Sequence, residues 1–336
     1  MIATGNHATL MRQIMKFIWH TMLFLSIFIL AACGSVEAPP TPRPSTQSPT
    51  PISTELPVVA TAIPAGFSDD NPIQIVIVPV EPQTASAGLA EFESALQELT
   101  DVTIRVVLAE TQTEAAGLVC ASESGIISAA WLDGMSAITN QLAGCGITSL
   151  QAETENGTGQ TGVLLLNTEF QDDGLESALE SPLCRIAVDD LFSWTLPVLF
   201  YGNEGFTVPE ILEINELADN DAIIADLMDG DCVVAGMSET AWEVYLDADE
   251  DGSLDENVFI VATSPEIPYN AFSFSGALSL DAVTDIESAL LQIDVDADLM
   301  EAFFGEVELQ SLDSSDFAEV IEFFQASGIN FSEFRS

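Results

Sequence analysis

The chain has 336 residues, 48% of them hydrophobic, and carries 54 acidic against 6 basic residues, a formal net charge of −48 at pH 7. Such an excess of carboxylates excludes a nucleic-acid or anionic-lipid binder, because phosphate recognition rests on clustered Lys and Arg. Both histidines, His7 and His20, precede Cys33. A product beginning at Cys33 therefore lacks the usual general base, the Ser-His-Asp triad and the His-ligated zinc site, and no enzyme is expected.

Residues 1–32 read as an export signal: Arg12 and Lys16 stand ahead of an apolar run over 17–30, which ends in Leu30-Ala31-Ala32-Cys33. That ending resembles the bacterial lipobox, which implies a lipid on Cys33 at the head of the mature chain. A transmembrane span over 14–32 is the competing reading, against which Trp19, His20, Thr21 and Ser26 weigh. Residues 33–70 are rich in Pro, Thr and Ser, a composition that cannot bury a core and acts as a tether. Loss of Arg12 and Lys16 with the signal leaves four arginines, Arg43, Arg105, Arg185 and Arg335, and a net charge of about −50.

Roughly 265 residues follow, enough for two domains. The apolar pattern predicts a strand over 73–80, a helix over 89–99, a strand over 103–109, a helix over 111–120, a strand over 126–132, a helix over 135–142 and a strand over 147–152. This alternation implies a parallel, right-handed α/β sheet. The pattern breaks over 153–160, read as a crossing, and resumes with strands over 162–167, 185–188 and 232–237 and helices over 175–179, 193–200, 220–228 and 239–246. A strand over 258–263 with Ser264-Pro265-Glu266-Ile267-Pro268 is read as the return crossing, and helices over 280–293, 299–304 and 317–326 are expected to pack back on the first domain. The expected division is residues 71–156 with 262–336 as domain 1 and 157–261 as domain 2.

Four cysteines besides Cys33 allow three pairings. One bridge per domain predicts Cys120–Cys145 and Cys184–Cys232 in an oxidising, exported compartment; a four-thiolate metal site is the alternative. Two α/β domains joined by two crossings leave a cleft at the strand ends. Residues just beyond those ends or at the crossings are the ligand candidates: Glu81, Asp133, Ser136, Asp190, Ser193, Trp194, Thr195, Ser238, Glu239, Tyr269 and Asn270.

Several segments in order carry a family resemblance. They are Val78-Pro79-Val80-Glu81-Pro82, Ala129-Ala130-Trp131-Leu132-Asp133-Gly134, Arg185-Ile186-Ala187-Val188-Asp189-Asp190 before Ser193-Trp194-Thr195, Asp229-Gly230-Asp231-Cys232-Val233-Val234-Ala235-Gly236, and Ser264-Pro265-Glu266-Ile267-Pro268. Over residues 73–293 the chain resembles the phosphate/phosphonate-binding proteins of ABC importers. The resemblance implies a two-domain type II periplasmic-binding fold, α/β, each domain a mainly parallel sheet flanked by helices. It further implies a solute-binding protein, an ABC permease as partner, and a small anion such as phosphonate or phosphate as ligand. In that family the anion meets a Ser-Thr-Ser type turn at a helix N-terminus; the matching turn here is Ser193-Trp194-Thr195, and the family's tyrosines and histidine are missing. A cationic or zwitterionic ligand held by Asp133, Asp190 or Glu239 with Trp194 as a π surface is the alternative, and a sensor or adhesion module on the same fold is another. A monomer held at the cell membrane by lipid is expected, with no cofactor required.

The acidic turn over 247–258 resembles an EF-hand calcium loop: Asp247, Asp249 and Asp251 at positions one, three and five, Gly252 at six, then Ser253 and Asp255. Val258 stands where the bidentate Glu belongs. A structural calcium ion is expected there, with a solvated charged loop as the competing reading.

Overall fold

Strands and helices alternate much as the hydrophobic pattern demands. The computed structural model describes residue 66 and residues 70–330, apart from 122–125, 172–173, 180, 207–212, 251 and 313. The export signal, Cys33 and most of the tether lie outside the described residues.

The first lobe opens with β1 (Ile73–Ile77), whose Ile75 and Val76 face opposite hydrophobic layers. Next come α1 (Pro82–Leu99), β2 (Ile104–Leu108), α2 (Gln112–Cys120), β3 (Ser128–Asp133), α3 (Gly134–Leu142) and β4 (Gly146–Glu153). Pro82 starts α1, where a missing N–H costs nothing. A short β5 (Gly159–Gln160) then leads out of the first sheet.

The second lobe holds β6 (Gly162–Asn167), α4 (Gly174–Ala178), β7 (Leu183–Arg185), a π-helical turn (Leu191–Thr195) running into α5 (Leu196–Asn203), β8 (Ile214–Glu216), α6 (Asn220–Asp229), β9 (Val234–Ser238), α7 (Glu239–Ala248), α8 (Ser253–Asn257) and β10 (Val258–Thr263). The chain returns through β11 (Ile267–Pro268) to β12 (Asn270–Ser275), α9 (Leu280–Gln292), α10 (Ala297–Phe304), β13 (Glu308–Ser311) and α11 (Ser314–Ala326).

The first sheet has the order β13-β4-β12-β3-β1-β2 and the second β10-β6-β9-β7-β8. Strands β1 to β4 run in one direction, as expected, but β12 lies antiparallel between β3 and β4. Both sheets are thus mixed with one direction in the majority: β12 and β13 oppose the other four strands of the first sheet, and among the described strands of the second only β6 opposes the rest. Strand β12 has no counterpart among the predicted elements, and its alternation of Phe with Ser resembles that of a half-exposed strand. Ser273 and Ser275 are in fact fully buried. The strand expected over 185–188 falls earlier, at Leu183–Arg185, where Leu183 pairs with both Ile214 and Val234 while Val188 is left 56% exposed. Val258–Thr263 is a full strand of the second sheet, so the return crossing begins only at Ser264.

The two crossings pair with each other: Ile267 lies opposite Gln160 and Pro268 opposite Gly159 in a two-stranded ribbon. Ser264 N–H donates to Gly162 O at 2.8 Å, and Tyr269 N–H to Thr158 O at 3.1 Å. Helices α9 and α10 return to the first lobe, where Phe92 and Phe303 stack at 4.4 Å between centroids. Helix α11 does not rest on the first lobe alone. Its Phe317, Val320, Ile321 and Phe324 complete a core with Leu164, Trp194 and Leu199 of the second lobe and with Ile138 of α3. Its apolar face thus spans both lobes.

Both expected disulfides are present. Cys120–Cys145 ties the end of α2 to the start of β4, and Cys184–Cys232 ties β7 to the loop before β9. The grouping of Cys184, Cys232 and Asp226 uses sulfurs already bonded to each other.

Candidate functional site

One pocket between the lobes is built by two helix starts and the paired crossings. Asp133, Gly134 and Met135 come from the β3–α3 junction, Leu191 and Phe192 from the π-helical turn, and Gln160, Ile267, Pro268 and Tyr269 from the crossings. It encloses about 150 Å³, room for about five water-sized groups. Gly134 is required at its position: a Cβ there would lie 1.9 Å from Pro268 O. The close approach lets Gly134 N–H donate to Tyr269 O at 2.9 Å, which fastens the first lobe to the returning strand.

Each helix start is closed by its own carboxylate. Asp133 accepts from Ser136 N–H at 2.7 Å through Oδ1 and from the Ser136 hydroxyl at 3.0 Å through Oδ2. Asp190 accepts from Ser193 N–H at 2.6 Å. Helix N-termini attract anions through free N–H groups and the positive end of the dipole; here a side-chain anion already sits at both. Among the described lining residues there is no Lys, Arg or His, and Asp133 is the sole charge.

The sequence candidates divide accordingly. Asp133 and Tyr269 line the pocket. Asn270, beside it in the chain, lies opposite Asp133 in the β12–β3 register. Ser136, Ser193, Trp194 and Thr195 are buried and do not line it. The Ser193 hydroxyl accepts from Ile186 N–H at 2.9 Å, which closes the turn after β7. Trp194 carries the Arg185 guanidinium over its ring at 4.5 Å, and Arg185 reaches Glu216 at 3.2 Å. This pairing uses the second lobe's arginine inside the lobe. Ser238 caps α7 by accepting from Ala241 N–H, and Glu239 N–H donates to Thr161 O at 2.8 Å. Glu81, ahead of α1, accepts from the Thr84 hydroxyl on the surface.

Met135, Gln160, Leu191, Phe192, Ile267 and Pro268 were not anticipated. The candidates are polar groups at strand ends, whereas the wall is mostly apolar. The available signal was Leu191-Phe192 just ahead of Ser193. A π-helical turn carries one residue more than an α-turn, and such turns recur at functional sites; this one directs Leu191 and Phe192 to the pocket while Ser193, Trp194 and Thr195 go inward.

At the acidic turn, Asp249 faces inward and accepts from Leu254 N–H at 2.7 Å and from the Ser253 hydroxyl at 3.3 Å. Gly252 supplies the left-handed turn at φ +73°. Asp247 lies in the last turn of α7, Ser253 and Asp255 lie in α8, and Asp251 is outside the described residues. Asp249 thus ties down the first turn of α8, whose N-cap position is Gly252.

A family model described as "ABC transporter, phosphonate, periplasmic substrate-binding protein" matches residues 75–317. The chain belongs to that family. Its two α/β sheets joined by paired crossings are the type II periplasmic-binding architecture. The family is a substrate-binding component of transport and not an enzyme; it implies a small-molecule ligand, an ABC permease and an extracytoplasmic location. Similar solved structures include XAC2383 from Xanthomonas citri bound to ATP, 11% identical over 78% of this chain and 97% of that one, TM-score 0.49. Another is PhnD1 from Prochlorococcus marinus in complex with methylphosphonate, 14% identical over 75% and 96%, TM-score 0.39. A third is a binding-protein component of an ABC phosphonate transporter from Pseudomonas aeruginosa, 12% identical over 76% and 86%, TM-score 0.38. No curated protein matches the chain.

Proposed function

We propose that this member of the phosphonate-binding family is a lipid-anchored receptor of an ABC importer, attached through Cys33 and held off the membrane by residues 33–70, that takes a small organic cation or zwitterion between its lobes. The observation that carries the ligand class is the lone Asp133 carboxylate in an otherwise neutral, largely apolar pocket. A cation there gains a charge partner, with Phe192 and Tyr269 as π surfaces. Closure of the lobes around the ligand, turning at the β5–β11 ribbon, then presents the loaded form to the permease as a monomer.

A phosphonate is the second reading, favoured by two helix starts converging on the pocket and by the family's own ligand class. Its dianion would stand beside Asp133 and would have to displace Ser136 N–H or Ser193 N–H from their carboxylates.

Thermal unfolding of the mature chain with choline, glycine betaine, methylphosphonate and phosphate separates the readings. A ligand at about 100 times its dissociation constant stabilises by about 2.7 kcal/mol, a rise of several degrees. A rise with choline or betaine that Asp133→Asn abolishes supports the cationic pocket; Asn keeps the helix cap while removing the charge. A rise with methylphosphonate alone overturns it in favour of the second reading, and no rise with any probe favours a surface module without transport. Calcium at the acidic turn belongs to the same proposal: its addition raises the midpoint and a chelator lowers it, and an unchanged midpoint refutes it.

A further inference from the structure

A second cavity, of about 890 Å³, opens on the first lobe where the end of α9, the start of α10, the segment entering β13 and the exit of β4 meet. Its floor is apolar: Ile293, Val295, Met300, Val307 and Leu309 are half-buried extensions of the first-lobe core, and Leu291 beside them is 42% exposed. Its rim is acidic. Glu153, Glu155, Glu301, Glu306 and Glu308 are all exposed around that floor, and none of the described lining residues is basic.

The rim also sets the groove apart from a mere extension of the acidic surface, because it encloses apolar side chains that water solvates poorly. Strand β13 stands at the end of the sheet beside the groove, and among the described residues no strand pairs with its outer edge. The opposite end is β2, beside which Thr103 N–H donates to Gly66 O at 2.7 Å. Five strand spacings, about 24 Å, separate the two edges.

We propose that this groove docks a basic, amphipathic segment of a partner protein, with apolar side chains on the floor and Lys or Arg against the rim. Charge complementarity selects that occupant. An anionic membrane surface is repelled by five carboxylates, and a second copy offers no matching patch, since the basic residues after Cys33 are four arginines scattered at 43, 105, 185 and 335. A small polyamine would satisfy the rim but leave the floor unused.

The test titrates the mature chain with a fluorescent peptide of alternating leucine and lysine at about 0.15 M salt, with spermine and a leucine–glutamate peptide as comparison probes. Saturable one-to-one binding of the lysine peptide is expected. The triple variant Glu155→Gln, Glu306→Gln, Glu308→Gln should weaken it about tenfold, and Leu291→Ser should weaken it as well. Glu91→Gln, Glu98→Gln and Glu243→Gln, three exposed positions elsewhere, should leave it unchanged. Equal loss from both triple variants, spermine binding as tightly as the peptide, no saturable binding, or a free chain that sediments as a dimer through this face would each overturn the proposal.

Discussion

The two disulfides close loops of 25 and 48 residues. In the chain-entropy account, opening them frees the unfolded ensemble and costs about 3.5 kcal/mol for the first and about 4.1 kcal/mol for the second. The loops do not overlap, so the costs add to about 7.5 kcal/mol, a large share of the 5–15 kcal/mol that a domain usually has. Their surroundings differ. Cys184 and Cys232 are fully buried against Ile223, Leu227 and Trp242, whereas Cys120 is exposed and Cys145 half-buried. Cys184→Ala with Cys232→Ala therefore opens a space in the core besides the loop and should be the more damaging pair, by more than the loop lengths alone require. Urea unfolding of each double variant measures both terms: the midpoint gives the loss, and a steeper denaturant slope signals the less compact unfolded chain. Timed alkylation under mild reductant should find Cys120 and Cys145 first. A smaller loss from the Cys184–Cys232 pair than from the other, or a loss below about 1 kcal/mol from either, would refute the reasoning.

Three further outcomes are expected. Gly134→Ala places a Cβ 1.9 Å from Pro268 O; the ribbon must shift, at about 1–3 kcal/mol, and any pocket ligand should bind more weakly, which unchanged binding by calorimetry would contradict. Phe272→Ala removes a fully buried ring in contact with Trp131, Phe274 and Phe304, costing about 3–5 kcal/mol in chemical denaturation. Burial pushes the Tyr201 phenol above its ordinary 10.0. Since the folded value exceeds the unfolded one, the unfolded chain loses the proton first. Stability from this group is intact below about pH 10 and falls above it, by up to about 1.4 kcal/mol per unit. Tyr201→Phe should flatten the alkaline limb of stability against pH, and an identical limb in the variant would count against the assignment.

Local pattern carried most of the secondary structure. The near-continuous apolar run from Ile73 could only be a strand buried on both faces, and Asp133, Asp190, Ser238 and Ser279 stand where helices begin because their side chains accept the first free N–H groups. Both disulfides followed from one bridge per half of the chain, and the crossings from the breaks around 153–160 and 264–268. Tertiary structure decided the rest. Strand β12 is sandwiched between β3 and β4 over a distance in sequence that no local signal spans, and its serines are buried by helices on one face of the sheet. Helix α11 has an apolar stripe like any other; only the assembled lobes show that the stripe fits between α3 and α5. Hydroxyls at 193 and 195 read from the sequence as anion ligands, yet a π-helical turn rotates them inward and brings Leu191 and Phe192 to the pocket instead. Sequence determines which residues are polar and where helices start, because those are local properties of the backbone and side chain. Which of them meet across a cleft depends on the rotation of each helix and the placement of each strand, and packing over the whole chain sets both.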